Sequence, residues 1–176
     1  YIVQIIFLTG LFLVFFTPME LGDVWWHLKT GEWIWENHSL PHEDPFSINP
    51  EGMRGNPVLK SFWLFQLIIY GAYLLGGIYA LISLKASLFA GSFFLIERIC
   101  RKYGLSSTLG FILLVPAVYI ATSYDELRPQ SATMFFFALT LYLLESKRLD
   151  RSYKPFAVLP LIMLLWSNMH GGYVSG

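Results

Sequence analysis

Charge is what this sequence has least of. Asp, Glu, Lys and Arg make up 14% of its 176 residues, where an ordinary soluble domain carries roughly 25%. The 12 acidic and 12 basic residues also cancel. No global field therefore draws the chain toward nucleic acid, and any electrostatic argument has to be local. Cysteine is nearly missing: Cys100 stands alone, which excludes a disulfide within the chain. No internal repeat or low-complexity tract is present. No basic stretch or small-residue cleavage pattern precedes Glu20, so the first apolar segment reads as a retained span rather than a cleaved signal peptide.

What fills the chain instead is apolar: 55% of residues are hydrophobic and 18% aromatic, with a mean hydropathy of +0.53. A helix needs about 20 mostly apolar residues to cross the hydrocarbon core of a bilayer. Residues 2–19, 78–96, 105–122 and 129–144 meet that requirement. A fifth segment, 156–170, is short and ends in the polar run SNMHGG. The expected fold is an all-α membrane protein, one transmembrane domain over residues 1–176 with about five spans. Its start at Tyr1 and its polar end at Gly176 read as those of the N-terminal part of a longer chain.

Val58 to Leu75 is apolar too, but joined to the next span it would make a run far longer than a bilayer accommodates. Gly76-Gly77 is the natural break, and Lys60 and Gln66 suit a helix lying at the interface. Charge asymmetry orients the whole. Arg98, Arg101 and Lys102 follow the second span, and Lys147, Arg148, Arg151 and Lys154 follow the fourth. Both loops fall on one side, the cytoplasmic one by the positive-inside rule. The 20–77 loop, the turn at Tyr124 to Gln130 and the SNMHGG end then emerge together on the extracytoplasmic face of a cell (inner) membrane.

The polar residues gather at that face. Gly22 to Asn37 reads as a helix with Asp23 as N-cap and Pro41 closing the segment. At 3.6 residues per turn, Asp23, His27, Thr30 and Ile34 share one side and Lys29, Glu32 and Glu36 the other. Val24, Leu28 and Trp35 make one apolar flank and Trp26 and Trp33 another. Asp23 is thus either a cap or a reactive carboxylate, and His27 either a backbone-bonded ring or a site residue. LPHEDPFS holds Asp44 between prolines in a rigid turn, with His42 and Glu43 beside it. Asp23 and Asp44 are candidate ligands for a divalent metal, although no HxxxH or CxxC spacing specifies one. Pro129 starts the fourth span and leaves Arg128 at its positive end, an anion site unless a carboxylate neighbour such as Asp125 or Glu126 takes it. Asn168 and His170 reach the same face, as site groups or as caps. Lys85, the one charge deep in a span, either faces a cavity or snorkels.

Asp-x-Trp-Trp-His-Leu-x-x-Gly (Asp23 to Gly31) and Leu-Pro-x-x-Asp-Pro-Phe-Ser (Leu40 to Ser47), with Leu127-Arg128-Pro129-Gln130 and Trp166 to Gly172, resemble the GT-C superfamily of integral membrane glycosyltransferases. That resemblance implies an extracytoplasmic active site, a polyprenyl-phosphate-linked sugar as donor and a first loop with two helices along the membrane. It implies an essential first-loop acid at Asp23, supported by Asp44 or Glu43. The phosphate would be held by Arg128 and Lys85, with His27, His170 and Asn168 nearby. Family members usually have many more spans and a further C-terminal part, both missing between Tyr1 and Gly176. The alternative is a non-catalytic multi-span subunit of that fold that packs in a larger membrane complex. A transporter fits less well, because the polar groups sit at span ends rather than at the midplane. The partners expected are a lipid-linked sugar, membrane lipids and other membrane proteins, but no nucleic acid.

Overall fold

The computed structural model describes residues 2–19, 22–46, 48, 60–150 and 155–175. Every regular element among them is helical: α1 (Ile2–Phe15), α2 (Val24–Asn37), α3 (Trp63–Lys102), α4 (Ser107–Ala121), α5 (Pro129–Asp150) and α6 (Leu159–Ser167). Short 3-10 turns cover Thr122–Tyr124, Pro155–Val158 and Gly171–Ser175. α3 is the hub, packing against α1, α2, α4 and α5.

α3 breaks at the diglycine. Gly76 (φ −160°, ψ 24°) and Gly77 (φ 57°, ψ −142°) leave the helical region, and only at Gly77 does a positive φ favour glycine. The limbs on either side, 63–75 and 78–102, are about 20 Å and 37 Å long. α3, and α4 taken with the turn after it, are long and apolar enough to cross a membrane. Only 17% and 11% of their apolar windows are buried, far less than in a mostly buried core helix. Ile112, Leu113, Val115 and Ile120 of α4 point outward, as do Ile2, Ile5, Ile6 and Leu13 of α1, a surface suited to lipid.

The other expected spans fall on helices of different character. α1 is apolar but has 14 residues, about 21 Å. α5 begins in the polar Pro129-Gln130-Ser131 and runs to Asp150, six residues past the expected 144, because Lys147 and Arg148 suit a helix C-terminus. α6 is only nine residues. Even so, the Trp166 indole reaches Thr133 at the start of α5 (3.0 Å). The end of α6 therefore lies beside the start of α5, about 25 Å along that helix from Asp150.

Two apolar clusters hold the bundle. In the first, Phe15 of α1 stacks on Phe89 and Phe93 of α3 (ring centroids 4.9 and 5.8 Å). The second, around Phe65, Ile69, Leu81, Leu127 and Met169, lies beneath α2. α2 buries Val24, His27, Thr30, Gly31 and Ile34, so the face with His27, Thr30 and Ile34 meets α3, joined by Val24 from the expected flank. Asp23 takes the N-cap position as expected, its carbonyl accepting from the His27 N–H (3.0 Å), but its side chain makes no cap bond. The helix ends at His38 in left-handed geometry (φ 49°), ahead of Pro41. The interfacial helix expected over 58–75 is described from Lys60 onward; Gln66 is fully buried within it rather than exposed.

At the far end of the bundle Gln4, with its amide oxygen turned to the arginines, accepts from Arg98 (3.1 Å) and Arg101. Tyr103 donates to Glu145 (2.7 Å), which also pairs with Arg148. Glu97 is buried there with neither oxygen hydrogen-bonded.

α2 and α3 meet at backbone distance. A β-carbon on Gly31 would lie 2.1 Å from the Gln66 carbonyl oxygen, whereas one on Gly71 would meet nothing. Gly31→Ala should therefore lower stability by about 1–3 kcal/mol through overpacking. Gly71→Ala should be neutral or raise it by up to about 1 kcal/mol through helix propensity. Thermal unfolding of both variants in one detergent tests the contrast, and equal melting points would contradict this contact.

Candidate functional site

Thr17 after α1, Asp23 before α2, Lys85 of α3, the Tyr124–Arg128 turn, the start of α5 and the end of α6 meet at one end of the bundle. The first element is a closed triangle. Lys85 Nζ donates to Asp125 Oδ2 (2.9 Å) and Thr17 Oγ1 (2.8 Å), and Thr17 Oγ1 donates to Asp125 Oδ2 (2.9 Å). Lys85 is 1% exposed, and burial of this kind requires a paired and hydrogen-bonded charge. Its cation is engaged here rather than lining the cavity beside Arg128.

The next residues build the second element. Leu127 is buried in the core at the centre of a tight turn closed by the Arg128 N–H to Glu126 O bond (3.1 Å), and the half-exposed Glu126 and Arg128 side chains flank it. The Arg128 guanidinium pairs through Nε with Glu126 Oε2 and lies 3.6 Å from Asp23 Oδ2. Asp125 having gone to Lys85, Glu126 is the neighbour that takes the arginine. A half-open cavity of about 380 Å³ lies beside it, walled by Glu126, Arg128, Gln130, Ser131, Tyr124 and Phe89. Arg128 thus stands at the head of α5 with its guanidinium already against carboxylate.

Two imidazoles flank Phe62. His27 meets its ring edge-on (5.6 Å) and His170 stacks on it (5.8 Å). His27 is buried, with Nδ1 3.2 Å from Gln66 Nε2. Burial pushes its pKa down to about 4; the Asp23 carboxylate opposes that shift and the Arg128 guanidinium adds to it. The neutral ring accepts the Gln66 N–H at Nδ1 and so carries its proton on Nε2. His170 is held the same way: Nδ1 accepts from the Gly172 N–H (3.0 Å) and lies 2.7 Å from Thr133 Oγ1. Thr133 in turn accepts from Trp166 Nε1. Asn168 accepts from Trp63 Nε1 (3.0 Å) and the Leu64 N–H (3.2 Å) and donates to Leu164 O, which makes it the clasp between α6 and α3.

The geometry thus unites Asp23 with Arg128 and sets His27 nearby, while His170 and Asn168 serve in the adjoining framework. It leaves Asp44 apart. Asp44 accepts from the Phe46 N–H (3.0 Å) in a local turn, beyond the far end of a helix about 21 Å long, and no described contact joins it to Asp23. Among the described residues no three His, Cys, Asp or Glu side chains converge. A metal shared by Asp23 and Asp44 does not fit this arrangement. Thr17, Gln66 and Thr133 are working partners that sequence reading passed over, since single hydroxyls and amides in apolar segments carry no spacing signal. Asp125 and Glu126 were visible only as interchangeable neighbours of Arg128.

The His27 pKa has a consequence for stability. Its folded value lies below the roughly 6.5 of an unfolded chain, so the stabilisation is complete above that pH and is lost as pH falls through 4. It amounts to at most about 3 kcal/mol. The melting point should drop between pH 7 and pH 4, and His27→Gln should flatten that slope; an unchanged slope would refute this role. Asp125→Ala should cost about 3–5 kcal/mol by leaving Lys85 buried without its counter-charge. Adding Lys85→Met should restore more than half of the loss, as denaturation of single and double variants would reveal.

Compared with protein-family models, curated proteins and solved structures, the chain matches none.

Proposed function

We propose that this chain carries the membrane-embedded half-site of a GT-C-like glycosyltransferase, which transfers a sugar from a polyprenyl-phosphate donor at the extracytoplasmic face. One observation carries the reading: an exposed carboxylate, Asp23, stands 3.6 Å from the arginine at the head of α5, and that arginine lines a half-open cavity. A donor phosphate bound at Arg128 would place the anomeric carbon next to Asp23, and holding both reactants in one geometry is itself a large part of catalysis. Asp23 accepts the acceptor hydroxyl's proton. The acceptor oxygen bonds to the anomeric carbon as the carbon–oxygen bond to phosphate breaks. The departing phosphate takes the electron pair and is stabilised by the guanidinium.

Topology supports the sidedness. The site lies at the opposite end of the bundle from Arg98, Arg101, Lys102, Lys147 and Arg148, the basic end that the positive-inside rule keeps in the cytoplasm. In this reading five passages cross the membrane: α1, the 78–102 limb of α3, α4, α5 and the return through α6. α2 and the 63–75 limb lie along the outer interface, with Trp25, Trp35 and Tyr73 exposed at headgroup depth. An apolar groove of about 480 Å³ between α1 and α4, reaching Thr122, offers room for the prenyl tail.

A second reading, the non-catalytic subunit, draws support from the carboxylate partners that Lys85 and Arg128 already have. Membranes supplied with labelled polyprenyl-phosphate sugars separate the two. Asp23→Asn should reduce transfer by about 10²–10⁴-fold, the usual worth of a positioned general base, with the melting point unchanged. Wild-type turnover in that variant would sink the enzymatic reading and leave the subunit.

A further inference from the structure

Glu126 is a candidate for regulating the Arg128 site rather than merely bordering it. Buried Leu127 fixes Glu126 and Arg128 on one side of the turn, and an Arg128 N–H to Glu126 O bond of 3.1 Å ties their backbones. Both side chains line the cavity and both are 40% exposed, so the carboxylate can swing into solvent. Gly22 closes the other side: a β-carbon there would lie 3.4 Å from Glu126 Oε2 and 3.7 Å from Arg128 Nη2.

The local charge balance is unfavourable for an incoming anion. Asp23, Asp125 and Glu126 contribute three negative charges and Lys85 and Arg128 two positive ones, so the cluster is −1. A phosphodiester adds another negative charge. Carboxylate and phosphate oxygens are alternative acceptors for the same guanidinium fork, and with Glu126 against Nε a phosphate that takes that edge of the fork has to displace it.

We propose that Glu126 is an internal competitor for the anion site, occupying the place of a phosphate oxygen until a lipid-linked phosphate displaces it. The inference rests on the reading of Arg128 as the donor-phosphate group. Its value is selectivity. A site at the bilayer surface faces a large excess of phospholipid headgroups, and a bound carboxylate raises the threshold for all of them. A ligand whose prenyl tail contributes separate binding can meet that threshold, whereas phosphate alone does not.

The test uses the purified chain in phosphatidylcholine nanodiscs, titrated with a short polyprenyl phosphate in one arm and inorganic phosphate in the other, with binding read by thermophoresis. Wild type should bind the prenyl phosphate and not the inorganic ion. Glu126→Gln should tighten the prenyl phosphate roughly five- to tenfold, on the order of 1 kcal/mol, and admit inorganic phosphate. Arg128→Gln should lose both ligands, with or without Glu126→Gln. Glu126→Asp, which keeps a shorter carboxylate, should fall between wild type and Glu126→Gln, and it serves should the glutamine variant not fold. Unchanged or weaker binding in Glu126→Gln, alongside loss in Arg128→Gln, overturns the competitor while leaving the donor site standing. Undiminished binding in Arg128→Gln, or no prenyl phosphate binding in any variant, overturns the donor reading itself.

Discussion

The buried bond between Lys85 and Asp125, closed into a triangle by Thr17, is the constraint on which this end of the molecule depends. A lysine placed 1% exposed within an apolar stretch of α3 needs a counter-charge, and the short turn between α4 and α5 supplies it. By drawing Asp125 inward, Lys85 settles the register of that turn. Leu127 then packs into the core, and Glu126 and Arg128 are left facing out beside Asp23. Thr17 brings the end of α1 into the same contact. One ion pair thereby couples three segments far apart in sequence and sets the geometry on which the proposed chemistry relies.

Around that anchor the polar groups divide their labour. Most hydrogen-bonding side chains at this end serve one another: Gln66 holds His27, Thr133 holds His170, and Asn168 clasps Trp63. Such hydrogen-bond networks hold side chains in place. Asp23 stands outside them, exposed and without a cap bond. An exposed carboxylate ion-paired with Arg128 beside a rigid frame is why the enzymatic reading takes Asp23 and not Asp44 as its acid.

Much of the architecture was readable before any coordinates because hydrophobic length and glycine placement are local properties. The break at Gly76-Gly77 and the shared side of His27, Thr30 and Ile34 on α2 follow from span length and helical period. The misses share a different cause. Asp23 looks like a cap by residue type, yet a guanidinium arriving from a turn about a hundred residues away is the stronger partner. Asp44 and Asp23 look paired because they are close in sequence, yet a straight helix intervenes. Lys85 looks like a phosphate ligand because intramembrane lysines are rare, but its partner was concealed among two adjacent acids, Asp125 and Glu126. Pairings across the fold are set by tertiary packing, and no local pattern encodes them.

The bend at Gly77 bears on all of this. Without it α3 would be a rod of 40 residues, about 60 Å tall and twice the thickness of a bilayer's hydrocarbon. Its N-terminal end, with Trp63 and Gln66 and the preceding Phe62, would lie out of reach of His170, Asn168 and His27, which it now meets. A single missing side chain thus folds a mast back into a roof.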